Sequence, residues 1–108
     1  MKLQIRECKE AELEHQRSKR QYCHVGHYPG TICIAKEFYD LPFTIRMALL
    51  AHEVGHLLGG ESEREANRIA NKEFRIKMRY KDTPYGKHLE IVSQKEAERI
   101  RKKLIQYF

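Results

Sequence analysis

The apolar positions change period several times along this chain, and each period predicts an element. Leu3 and Ile5 alternate with Lys2, Gln4 and Arg6, which predicts a short strand over residues 2–6. Glu7 to Arg20 is rich in helix formers but poor in apolar residues, so a helix is expected there with a mostly wet surface. Gln21 to His27 and Thr31 to Ala35 flank Tyr28-Pro29-Gly30, and proline followed by glycine favours a type II turn, so these two stretches predict a hairpin. From Met47 the spacing turns helical: Met47, Leu50, Val54 and Leu58 recur at threes and fours and form one core stripe. Asp40 suits an N-cap, Pro42 suits a first turn and Gly59-Gly60 suits a stop, which sets this helix at about Leu41 to Leu58. A second helix is expected from Glu63 to about Tyr80, with Ala66, Ile69, Ala70, Phe74 and Met78 inward.

The turn-rich run Lys81-Asp82-Thr83-Pro84-Tyr85-Gly86-Lys87 reads as an exposed loop, and residues 88–92 fit neither period. Ser93-Gln94-Lys95-Glu96 has the form of a capping box, opening a final helix whose Ala97, Ile100, Leu104 and Phe108 make an apolar stripe. Strands and a hairpin ahead of a series of helices give an α+β fold in a single domain, residues 1–108. No repeat, low-complexity tract or linker divides it.

Composition narrows the class. At 108 residues and 12.9 kDa the chain supports one thin core, and 41% hydrophobic with 33% charged residues describes a globular sequence, not a disordered one. No apolar stretch approaches the roughly 20 residues that span a bilayer, and the N-terminus has no signal-peptide core, so a cytoplasmic protein without a membrane partner is expected. The formal charge of +6 is spread among 15 acidic residues with no basic tract, and nothing in motif form points to nucleic acid. Cys8, Cys23 and Cys33 make an odd set without a C-x-x-C pair, which reads as reduced thiols.

The candidate chemistry lies in Ala51-His52-Glu53-Val54-Gly55-His56. Four residues apart on a helix, His52 and His56 sit roughly 40° from each other on one face, where two imidazoles can share a metal ion. Glu53 flanks that face, placed to take a proton from an activated water without itself being a ligand. This is the H-E-x-x-H arrangement of zinc hydrolases. A catalytic zinc needs a third protein ligand, and Glu61, Glu63 and Glu65 follow at once. Ser62 to Glu65 reads as a capping box, which gives Glu65 a structural task. Glu63, in the first helical turn with Asn67 one turn later on the same face, is assigned to the metal, and Asn67 to a hydrogen bond that orients a histidine. Glu61, in the connecting loop, stands as the alternative ligand.

His-Glu-Val-Gly-His at 52–56 followed by Glu63-Arg-Glu-Ala-Asn67 resembles the gluzincin metallopeptidases, whose third ligand is a glutamate four residues before an aspartate or asparagine. The match is closest to the minigluzincins, small soluble versions of membrane-embedded gluzincins, and its specific part covers residues 51–74. Asn67 can accept a hydrogen bond but brings no charge. The resemblance implies a zinc-dependent endopeptidase with a small three-stranded sheet and a few helices. It also implies that Thr31 to Ala35 is the sheet edge to which an extended peptide or unfolded protein substrate adds as a strand.

An oxyanion formed during hydrolysis needs a donor, and His88, Tyr85 and Tyr80 are the candidates in the C-terminal half. Cys23-His24 with His27 has the composition of a second metal cluster but not the spacing of a structural zinc site, and reads more simply as sheet decoration. A peptidase this small has little to stop it cutting its neighbours. The basic, amphipathic segment after Pro84 is therefore expected either to cover the cleft and keep the enzyme latent, or to bind another copy. The rival reading is a zinc-binding regulatory or interaction protein with little catalytic activity.

Overall fold

A computed structural model describes residues 2–7, 22–26 and 29–108. The expected helix over Glu7 to Arg20 lies outside the described residues except at its first position, as do Cys8 and His27. The fold is α+β, and the described residues form a three-stranded mixed sheet, three α-helices and a separate two-stranded hairpin. Strand β1 (Gln4–Glu7) pairs parallel with β3 (Thr31–Ile34), and β2 (Cys23–His24) pairs antiparallel with β3, giving the order β1-β3-β2. Gly30, at φ 61°, makes the turn into β3.

This order corrects one expectation. Thr31 to Ile34 form the central strand, not an edge, and all four are buried. The continuous Thr-Ile-Cys-Ile run is the pattern of a strand covered on both faces, where an edge strand would alternate. The edge beside the candidate site is β2.

Helix α1 (Phe43–Leu57) begins later than its sequence signals suggest. Lys36–Asp40 forms a 3-10 turn that buries Phe38, so Asp40 is spent inside that turn and Pro42 takes the N-cap position. The Pro42 carbonyl accepts from Ile45 and Arg46 N–H at 3.1 and 3.0 Å. Ten residues of α1 are buried, from Ile45 through Gly55, because the helix is packed by the sheet, both other helices and the hairpin. Of the expected stripe, Met47, Leu50 and Val54 are buried and Leu58 packs partly buried at the margin. The helix stops in a Schellman motif. Gly59 N–H donates to the His56 carbonyl at 3.1 Å and Gly60 N–H to the Gly55 carbonyl at 3.0 Å, with Gly59 at φ 120°, where a side chain would be strained.

Helix α2 (Glu63–Phe74) ends six residues short of the expected Tyr80. Arg75 turns left-handed at φ 54°, and the chain then runs into β4 (Arg79–Thr83) and β5 (Gly86–Ile91). The expected loop and the ambiguous residues after it are therefore mostly a β-hairpin, with Tyr80 opposite Glu90. Three hydrogen bonds hold the break at Phe74: Asn71 Oδ1 accepts the Met78 N–H at 3.0 Å, Arg99 donates to the Arg75 carbonyl and Lys103 donates to the Glu73 carbonyl. Both cations belong to helix α3 (Gln94–Leu104), which opens with the expected capping box at Ser93 and Glu96 and buries Ala97, Ile100 and Leu104. Phe108 is 40% exposed, because the helix gives way to a 3-10 turn (Ile105–Tyr107) and the stripe is not continued. Among the described residues no helix is long and apolar enough to cross a membrane.

Candidate metal centre

The centre is made where α1 and α2 touch almost without side chains between them. A Cβ placed on Gly55 would lie 2.1 Å from the Ala66 carbonyl oxygen, and one on Gly60 would lie 2.7 Å from Ala66 N and Cα. Only glycine at both positions lets the helices approach this closely. The approach carries the first turn of α2, and Glu63 with it, over the histidine face of α1.

His52 and His56 present Nε2 atoms 3.2 Å apart. Glu63 Oε2 lies 2.8 Å from His52 Nε2, and Oε1 lies 2.9 Å from His56 Nε2. Each ring is held from behind. His56 Nδ1–H donates to the Gly60 carbonyl at 2.8 Å, and His52 Nδ1–H donates to Asn67 Oδ1 at 2.6 Å. With both protons on Nδ1, the two Nε2 lone pairs and a carboxylate converge with no N–H among them. A divalent cation would fit that arrangement, since the donor set of two imidazoles and one carboxylate, all within 4.8 Å, is of the kind that holds zinc. Among the described residues no other group of three or more His, Cys, Asp or Glu side chains converges in this way.

The glutamates separate as their positions in the first turn of α2 require. Glu65 N–H donates to Ser62 Oγ at 3.1 Å, while the Glu65 carboxylate accepts from the Glu61 N–H at 3.4 Å, one residue before the N-cap. The helix start thus engages Glu65 and the backbone of Glu61, and Glu63 is the one at the histidines.

Glu53 is 7% exposed and lines a cleft of about 360 Å³ together with His52, His56, Glu63, Glu90 and β2. Burial, reinforced by the negative charges of Glu63 and Glu90, pushes its carboxyl up to about 8. The β2 edge borders the same cleft through Cys23 and His24, flanked by Tyr22 and Val25. Cys23 and His24 thus lie on the cleft wall, whereas His27 is outside the described residues.

None of the three candidates for an oxyanion donor lines the cleft. His88 is exposed in the hairpin, where its N–H donates to Asp82 at 3.1 Å. Tyr85 contributes its backbone carbonyl, which accepts from the Tyr22 hydroxyl at 2.5 Å and ties the hairpin tip to the strand edge. Tyr80 is hydrogen-bonded to the Asn67 amide nitrogen. Of the segment after Pro84, Leu89 and Glu90 reach the cleft, while α3 packs into the core.

Two participants were not foreseen. Glu90 Oε1 lies 3.7 Å from His52 Nδ1 on a side chain only 13% exposed, and burial pushes its carboxyl upward against the opposing pull of His52. The other is the Gly60 carbonyl that aims His56. Alternation in Arg75-Ile76-Lys77-Met78-Arg79-Tyr80-Lys81 was the available signal for a strand, and hence for the hairpin that carries Glu90. A backbone carbonyl leaves no such signal. Comparison with known proteins adds no relative: no family model, curated protein or solved structure matches the chain.

Proposed function

We propose that the chain is a zinc-dependent endopeptidase of the gluzincin type, acting on extended, loosely structured polypeptide. The observation that carries this reading is the convergence of His52 Nε2, His56 Nε2 and the Glu63 carboxylate beside a buried Glu53 in an open cleft. His52, His56 and Glu63 would hold the ion. Bound there, zinc supplies a Lewis acid and brings the pKa of water toward neutrality.

The rest of the chemistry belongs to the chain. Glu53 takes a proton from the attacking water and passes it to the leaving nitrogen, the work of a general base that becomes a general acid. Its raised carboxyl suits the acid half of that cycle, and a cation held beside it would oppose the rise and favour the base form. Asn67 and the Gly60 carbonyl hold the imidazoles in the metal-binding tautomer. An extended peptide would lie along β2, whose Cys23 and His24 line the cleft beside the histidines.

The experiment pairs zinc stoichiometry with cleavage of an unfolded polypeptide. Glu53→Gln is expected to keep one zinc per chain and to lose hydrolysis by about 10²-fold or more. If the wild type binds zinc tightly but releases no new termini from the substrate, the chain is a zinc-binding interaction protein and the enzymatic reading is wrong.

A further inference from the structure

Asn67 poses a problem that a carboxylate in its place would not. Both oxygens of a carboxylate accept hydrogen bonds, whereas the two ends of an amide have the same shape and opposite polarity. With Oδ1 toward His52, the ring keeps its proton on Nδ1 and turns the Nε2 lone pair toward Glu63. With the amide reversed, its N–H2 would face Nδ1, and the ring proton would move to Nε2, into the space shared with His56 and Glu63.

The outer end of the same amide meets Tyr80, whose hydroxyl receives Asn67 Nδ2–H. A phenol can also donate, so its own proton needs another direction. Glu90 is the partner of Tyr80 across the β4–β5 ladder and carries a carboxyl oxygen able to accept in either protonation state. Glu90 Oε1 also lies 3.7 Å from His52 Nδ1 and favours a proton on that nitrogen. The hairpin thus places the Glu90 carboxylate behind His52 and the Tyr80 hydroxyl behind Asn67.

We propose that Tyr80 is a positioning residue that fixes the direction of the Asn67 amide, and through it the tautomer of His52. It makes an uncharged asparagine serve where a carboxylate would need no guide. This deepens the metal-centre reading, yet its first test requires no metal.

Long-range proton–nitrogen correlation spectra of the metal-free protein, at alkaline pH where the ring is neutral, report which His52 nitrogen carries the proton. Wild type is expected to hold it on Nδ1 and Tyr80→Phe to show a mixture of the two tautomers. The double variant Tyr80→Phe with Asn67→Asp is expected to return to Nδ1. Zinc titration against a competing chelator should follow the same order. Tyr80→Phe is expected to weaken zinc binding about tenfold, and by less than about twofold when Asn67→Asp is already present. A His52 tautomer unchanged by Tyr80→Phe overturns the proposal, and so does an equal zinc-affinity loss in both backgrounds. Wild type that carries the Nδ1 proton yet takes up no zinc sinks the peptidase reading instead, and the spectra alone then decide the role of Tyr80.

Discussion

Gly55 sets how near the two ligand-bearing helices can come. A methyl group there would lie 2.1 Å from the Ala66 carbonyl oxygen, which belongs to backbone and cannot swing aside. Gly55→Ala is therefore expected to cost about 3 kcal/mol in urea unfolding, at the upper end for overpacking, and to weaken zinc uptake by moving Glu63 off the histidines. An unchanged midpoint would show that the helices part at no cost. At this scale the sequence is most legible. H-E-x-x-H on an apolar helix, a glycine inside that helix and a serine-capped acidic run are local patterns, and local patterns survive folding. The directions of Asn67 and Tyr80 are not local, because each depends on what the other presents.

Among the elements, the miss at residues 75–91 is the instructive one. Ala66, Ala70 and Phe74 set a helical period that can be extended to Met78, and no glycine or proline interrupts it before Pro84. Part of what ends α2 is local, at Asn71 and the left-handed Arg75, and part is supplied from elsewhere: Arg99 and Lys103 reach from α3 to its last carbonyls, and a tertiary contact of that kind has no mark in the local sequence. The capping box of α3 was legible because its partners lie three residues apart, and it serves a second junction as well. Partial burial would raise the Glu96 carboxyl, but N–H groups of Ser93 and Lys77, the Ser93 side chain and Arg79 outweigh it and hold it down to about 2. A carboxyl depressed in the folded state stabilises above its ordinary value of 4.5, and that support fades as pH falls from there through 2. Thermal melts should show Glu96→Gln less stable than wild type at pH 7, with the gap closing across that acid window. A gap that persists to its lower end would assign the effect to packing.

For the molecule as a whole, the thin core makes a bound ion matter. Zinc at about a thousand times its Kd adds roughly 4 kcal/mol to a protein that binds it only when folded. In a domain of about a hundred residues each kcal/mol moves Tm by about 4–8 °C, so a strong chelator is expected to lower Tm by more than about 10 °C. Glu63→Ala should abolish most of that difference and Glu65→Ala should not. A chelator-insensitive melt of zinc-supplemented protein would argue against a resident ion. The sheet order was legible only in part. The resemblance points to Thr31–Ala35 as a sheet edge, and only the pairing of Thr31 to Ile34 with both neighbours puts them in the middle.

The Schellman stop after α1 has one more consequence. His52, His56, Glu63 and Asn67 fall within a single helix–turn–helix hairpin, so little loop-closure entropy opposes their meeting, while Tyr80 behind Asn67 and Glu90 beside His52 arrive from strands further along the chain. Grip and tuning are therefore encoded in separable stretches. The same hairpin on a different supporting sheet would still bring the two imidazoles and the carboxylate together, but with different groups behind His52.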